Sequence, residues 1–175
     1  NLSTKGSFSL GAAGAPQAHL KSTPNKYGEE QVVMKEDFAK MTAGTPENPD
    51  LDNSILKEEF EYPWINTKDE YFNTPGWGSG NAYSAGGVVY LASAPKEMAH
   101  INTPMLNVSA NGGIAWVRFK ARAKSAEELP VVMVEAAETH NMSPTWDMMG
   151  SAQLPQISEQ WQEYTMYFYG GGEYT

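Results

Sequence analysis

The sequence predicts an all-β fold, a two-sheet antiparallel sandwich, and three observations lead there. Alternation of apolar and polar residues at period two is sustained in "GIAWVRFKARAKS", Gly113 to Ser125. Clusters of Gly, Pro, Asn and Asp interrupt the apolar runs at Ala110–Gly113, Asn141–Pro144 and Gly170–Gly172. No segment carries the 3.6-residue apolar stripe of an amphipathic helix. Short alternating runs punctuated by turn residues are the signature of half-buried strands in a sandwich.

In order along the chain, residues 1–28 are rich in Gly, Ala, Ser, Thr and Pro and show no sustained period. They read as a linker or the remnant of an upstream module, with the domain occupying 29–175. Val32-Val33-Met34 predict a first strand that ends at the turn before Phe38. From Thr42 to Asn73 the chain is irregular and acidic, holding Glu47, Asp50, Asp52, Glu58, Glu59, Glu61, Asp69 and Glu70. A loop of that length inside a compact domain hides short elements or serves a function. "FEYPWI", Phe60 to Ile65, is one candidate packing element.

The remainder reads as strand throughout. "GGVVYLAS" is a short strand behind a glycine corner. In the next strand Ala115, Val117, Phe119, Ala121 and Ala123 form one face, and Ile114, Trp116, Arg118, Lys120 and Arg122 the other. "LPVVMVEAAE" and "WQEYTMYFYGGG" follow, the latter with Tyr164, Met166 and Phe168 as its inner face.

Composition excludes some functions. The net charge is −9, and Arg118 and Arg122 are the arginines. Nucleic-acid binding depends on many cations displacing counterions from phosphates, so no nucleic-acid partner is expected. Cysteine is absent, which removes disulfides and thiolate metal sites. No apolar run reaches the roughly 20 residues that span a bilayer, so no membrane-spanning segment is expected. Neither a signal peptide nor an initiator Met is present at Asn1, and the chain reads as a mature or trimmed form lacking its targeting segment.

Motifs for chemistry are sparse. "TPGWGSGNAYSAGGVVYLAS", Thr74 to Ser93, places Tyr83 where a dinucleotide fingerprint needs its third Gly, and a strand follows instead of a helix. The P-loop lysine is missing as well. A sugar-stacking loop is the remaining binding reading, with the indole of Trp77 against a pyranose face. The plainer alternative has Trp77 plugging the end of a sandwich.

Arg118, Lys120, Arg122 and Lys124 supply four of the twelve Lys/Arg. Beside Trp116 they could serve an acidic or neutral glycan, or simply pair with acids on neighbouring strands. His19, His100 and His140 are isolated, and no G-x-S-x-G or H-E-x-x-H occurs, so no catalytic residue is nominated. "NPDLDNS" lacks the acid spacing of an EF-hand loop.

Four phrases in order carry a resemblance: "VVMKEDFAKMTAGTPENPD", "TPGWGSGNAYSAGGVVYLAS", "INTPMLNVSANGGIAWVRFKARAKS" and "EQWQEYTMYFYGGG". Over residues 31–172 the chain resembles the jelly-roll modules of bacterial surface and secreted proteins related to the cleaved-adhesin and choice-of-anchor J families. The resemblance implies a jelly roll of the galactose-binding or concanavalin-like kind, at the outer membrane of a Gram-negative bacterium or outside the cell. It implies glycan binding or adhesion, and a structural calcium that would carry onto Glu36 or Asp37. Such domains close with an Ile-Asp-Asp-like strand end, which is missing before "GGGEYT". Either a final strand lies beyond Thr175 or another segment pairs with that edge.

The sequence therefore leads to a non-catalytic carbohydrate-binding or adhesion module, with Trp77, Tyr83, Trp116 and Trp146 as stacking rings and Arg118 or Arg122 as donors. Its partner would be a host or bacterial surface polysaccharide. The alternatives are a glycoside hydrolase or lyase on the same sandwich, which needs two facing carboxylates, and a structural spacer or protein-adhesion domain.

Overall fold

The computed structural model describes residues 7–11, 32–62, 64–92, 98–107, 114–127, 130–139 and 146–169. The described chain is all β apart from one 3₁₀ turn at Asp69–Tyr71. Ten strands follow in order: β1 (Ser7–Gly11), β2 (Asp50–Ser54), β3 (Gly78–Gly80), β4 (Ala82–Ser84), β5 (Val88–Ala92), β6 (His100–Asn102), β7 (Ile114–Ala123), β8 (Met133–Thr139), β9 (Trp146–Gln153) and β10 (Gln162–Tyr169). Six form one sheet in the order β10-β7-β1-β5-β4-β2, while β3-β6 and β8-β9 form two separate ribbons. All pairings are antiparallel.

The alternation read from β7 sets the inside of the large sheet. Ala121 and Ala123 are fully buried, with Val89 and Leu91 of β5, Ala82 of β4 and Tyr164 of β10 in the same core. Register places Tyr164 opposite Phe119 and Met166 opposite Val117, as the alternation of "EYTMYFY" predicts. Phe38, Met41, Ile55, Phe72, Trp77, Ala99, Val132, Leu154 and Ile157 close that core from the other side. Ile101 of β6 and Val134 of β8 pack against it, so both ribbons face the same apolar interior.

The β4–β5 connection is the glycine corner expected from "SAGG". Ala85 N–H donates to Val88 O at 3.1 Å, enclosing Gly86 at φ 64° and Gly87 at φ 89°. Positive φ at both central residues is what a type I′ hairpin turn requires, and glycine adopts it without steric cost. Both glycine N–H groups donate outward, Gly86 to Ala43 O and Gly87 to Met41 O, which ties the loop 41–44 to the hairpin.

Two expectations need correction. Residues 1–28 are not all linker, because Ser7–Gly11 form β1 between β5 and β7. Phe8 stands in register with Leu91 and Ala123, and Leu10 with Val89 and Ala121. "SFSL" does alternate, but a four-residue pattern is too short to stand out among small polar residues. Second, Val32–Met34 make no strand: Val32 is 79% and Val33 53% exposed, and the segment has no ladder partner among the described residues. Apolar β-branched residues favour strands only where a partner edge is on offer.

The acidic stretch does contain short elements, namely β2, a bridge between Leu56 and Thr67, and the 3₁₀ turn. Within "FEYPWI", Tyr62 and Trp64 are half-buried with ring centroids 5.2 Å apart, whereas Phe60 is 47% exposed. The three turn clusters predicted at 110–113, 141–144 and 170–172 lie outside the described residues.

Candidate functional site

The glycine-tryptophan loop turns inward. Trp77 is 4% exposed, stacked on Phe72 with centroids 5.0 Å apart and edge-on to Phe38 at 5.6 Å. Its carbonyl accepts from Thr67 Oγ1 at 2.8 Å. Asn66 grips the next residues, Nδ2 donating to Ser79 O at 2.9 Å and Oδ1 accepting from Ser79 N–H at 2.8 Å. Gly78 is glycine for the same reason: any Cβ there would overlap the Trp64 carbonyl oxygen. The expectation that Trp77 stacks on a sugar is therefore corrected. Its ring area is spent on the core, where burying an aromatic contributes about 1.5–3 kcal/mol, and no face remains for a ligand.

Glu36 and Asp37 likewise have structural work in their surroundings. Glu36 Oε1 accepts from Phe38 N–H at 2.9 Å and Asp37 N–H at 3.2 Å, while Oε2 accepts from Asn73 N–H at 2.7 Å. Asp37 Oδ1 accepts from Ala39 N–H at 3.0 Å and Asn73 Nδ2 at 2.9 Å. These bonds hold Phe38 at φ 56°, a left-handed conformation costly for a phenylalanine, and aim its ring at Trp77. The Ala39 N–H, then the Asn73 amide, lower the Asp37 pKa below the usual carboxylate value of 3.8. Among the described residues no cluster of three His, Cys, Asp or Glu is placed to hold a metal ion.

The opposite face of the large sheet gathers most of the remaining candidates. Register sets Trp116 beside Tyr167, Arg118 beside Thr165 and Lys120 beside Glu163. One row further, Arg122 pairs with Ser9, Ser9 with Tyr90, and Tyr90 with Tyr83, crossing four strands. Strand parity makes this the solvent side of the sheet, since Ala121 and Ala123 point the other way into the core. A small apolar cluster lies here: Ala85, Val88 and Tyr90 with Tyr83, Ala92 and Trp161 against them.

Three of the four cations on this face are held by rings or acids. Arg118 Cζ lies 4.5 Å from the Trp116 ring centroid, and Arg118 Nε is 3.6 Å from Glu163 Oε1. That is an ion-pair distance too long for a hydrogen bond, and Arg118 Nε is shielded from solvent with no hydrogen-bond partner. Arg122 Nη2 donates to Glu47 Oε1 at 2.9 Å, with its Cζ 5.6 Å from the Trp161 ring. Lys124 Nζ sits 5.3 Å from the Tyr90 ring. The pairing of arginines with neighbouring acids, foreseen as the plainer alternative, is thus present. Such half-exposed pairs contribute about 0–1 kcal/mol each.

Of the residues nominated from sequence, Tyr83, Trp116, Arg118 and Arg122 share this face, and Trp77 does not. Trp146 stands opposite Thr139 in the β8–β9 ribbon, outside the large sheet, and its side chain is not among those described. None of the four tryptophans with described side chains is exposed: Trp77 is buried, and Trp64, Trp116 and Trp161 are half-buried. Among the described residues the most exposed aromatic ring is Tyr167, 75% exposed and opposite Trp116. Tyr167 and Trp161 were missed, although extending the Tyr164–Met166–Phe168 alternation assigns both to the outer face by elimination.

No protein-family model matches the chain, and neither a curated protein nor a solved structure matches it. Among the described residues no helix is long and apolar enough to cross a membrane.

Proposed function

We propose that this chain is a non-catalytic carbohydrate-binding module that works at or outside a bacterial surface and takes its ligand on the solvent face of the six-stranded sheet. The observation that carries the reading is Tyr167, an aromatic ring 75% exposed and in register with Trp116, the ring that Arg118 overlies. A phenol ring free on one side offers a flat apolar surface to pyranose C–H groups, and the adjacent cation offers hydrogen-bond donors. The Trp116 ring also carries Arg118, whose Cζ lies 4.5 Å from its centroid.

The overall architecture in this reading is a jelly-roll sandwich, the two ribbons acting as the second layer. What supports it is that Ile101 and Val134, one from each ribbon, pack on the core behind the large sheet. The surface location rests on the order of the four motif phrases alone.

The energetics call for a weak ligand. A dissociation constant of about 1 mM corresponds to about 4 kcal/mol. One ring platform and one charged hydrogen bond, the latter worth about 1.5–3 kcal/mol, are of that size. Titration of the chain against an oligosaccharide panel, with Tyr167→Ala alongside, tests the reading. Binding weakened at least tenfold with an unchanged melting temperature is expected, since an exposed ring contributes little to folding. A panel with no binder, or binding indifferent to Tyr167→Ala, would leave a spacer or protein-adhesion domain.

A further inference from the structure

The charge on this face narrows the ligand class. Resting on the carbohydrate reading above, we propose that the saccharide is acidic, a sugar bearing a carboxylate that Arg118 and Lys120 receive while its ring lies on Tyr167.

Charge complementarity is the first support. The chain has a net charge of −9, yet Arg118, Lys120, Arg122 and Lys124 follow one another at every second position. They make the outer side of β7 a cationic stripe on an anionic protein. A neutral sugar would take only hydrogen bonds from these cations, whereas an anionic one is also drawn to them by charge and repelled elsewhere.

Preorganisation is the second. Arg118 is held against the Trp116 ring at 4.5 Å, so its planar fork is oriented before any ligand arrives. Its present carboxylate partner, Glu163, stands at 3.6 Å and leaves Nε without a hydrogen bond. The Arg118 side chain is 26% exposed, and a ligand carboxylate that meets this exposed part in the guanidinium plane can make the shorter, paired hydrogen bonds that Glu163 does not. Lys120, in register with Glu163, has no ion pair among the described residues. Glu163 and Glu47, the present carboxylate partners of the arginines, are 37% and 69% exposed, so exchange with an external carboxylate requires no repacking of the core.

Titration calorimetry of the full chain with three probes tests the proposal: a neutral hexasaccharide of galactose, the matched hexamer of galacturonic acid, and a glutamate hexapeptide. The uronic hexamer is expected to bind at least tenfold more tightly than the neutral one, with the advantage shrinking as sodium chloride is raised. Arg118→Gln should bring its affinity down to the neutral level, and Arg118→Lys should recover only part. Tyr167→Ala should weaken both saccharides. Should Arg118→Gln fold poorly by circular dichroism, Lys120→Gln gives the same readout with a smaller loss. Equal, Tyr167-dependent affinity for both saccharides would overturn the acidic preference and leave the carbohydrate reading standing. A glutamate peptide binding as tightly as the uronic hexamer would overturn it too, since charge alone would then suffice. No binding to either saccharide would remove both.

Discussion

The guanidinium of Arg118 lies over the indole of Trp116, Cζ 4.5 Å from the ring centroid, two residues apart on the solvent face of β7. Residues i and i+2 of a strand share a face, so this contact follows from chain direction alone. It turns a ring that could have been a bare platform into a support for a cation.

A double-mutant cycle should expose that support. Trp116→Ala and Arg118→Gln, singly and together, are expected to show a coupling of about 0.5–1 kcal/mol in urea unfolding, the size of a half-exposed cation–π contact. Additive effects would mean that the two side chains act independently.

Trp77 should behave as a core residue. Trp77→Ala removes the stack on Phe72 and the edge contact with Phe38, and is expected to cost about 3–5 kcal/mol. Trp77→Phe should cost less. The urea midpoint reads both, and any saccharide affinity of folded Trp77→Phe should equal that of the parent.

Gly78 tests the close approach of two backbones. Gly78→Ala sets a Cβ against the Trp64 carbonyl, which is backbone and cannot swing aside. A loss of about 1–3 kcal/mol is expected, whereas Gly87→Ala should lose stability through its positive φ alone, having open space around it.

Asp37 should contribute to acid sensitivity. Its pKa is depressed in the folded chain by the Ala39 N–H and the Asn73 amide. Its contribution is therefore full above the ordinary carboxylate value and is lost as pH falls through the lower folded value. Melting temperature against pH, compared with Asp37→Asn, should show a shallower decline in the variant below about pH 4.

His100 has the same sign for a different reason. Burial lowers its pKa from 6.5, against a smaller opposing contribution from a hydrogen bond with the Met98 backbone. The ring lies over Gly80, whose missing side chain leaves the space. Stability tied to His100 is present above pH 6.5 and declines as pH falls toward the folded value. Its NMR titration midpoint should lie below that of a free histidine.

Local pattern was enough for some of this protein. The period-two alternation of β7 and β10 determined which residues face the core and which face water, because successive side chains of a strand must point to opposite sides. It thereby placed Trp116, Arg118 and Arg122 together. The two glycines of the β4–β5 turn were legible too, since few other residues accept positive φ twice in succession. Only the tertiary structure decided the pairing of β1 with β5 and β7, some eighty and more positions away in sequence. It alone turned Trp77 inward while sending Tyr83, six residues later, to the opposite face. It alone gave Glu36 and Asp37 their N–H donors from Ala39 and Asn73. Strand partners and ring burial are set by which distant edges and apolar surfaces meet, and a short stretch of sequence records its own alternation but not the address of its neighbour.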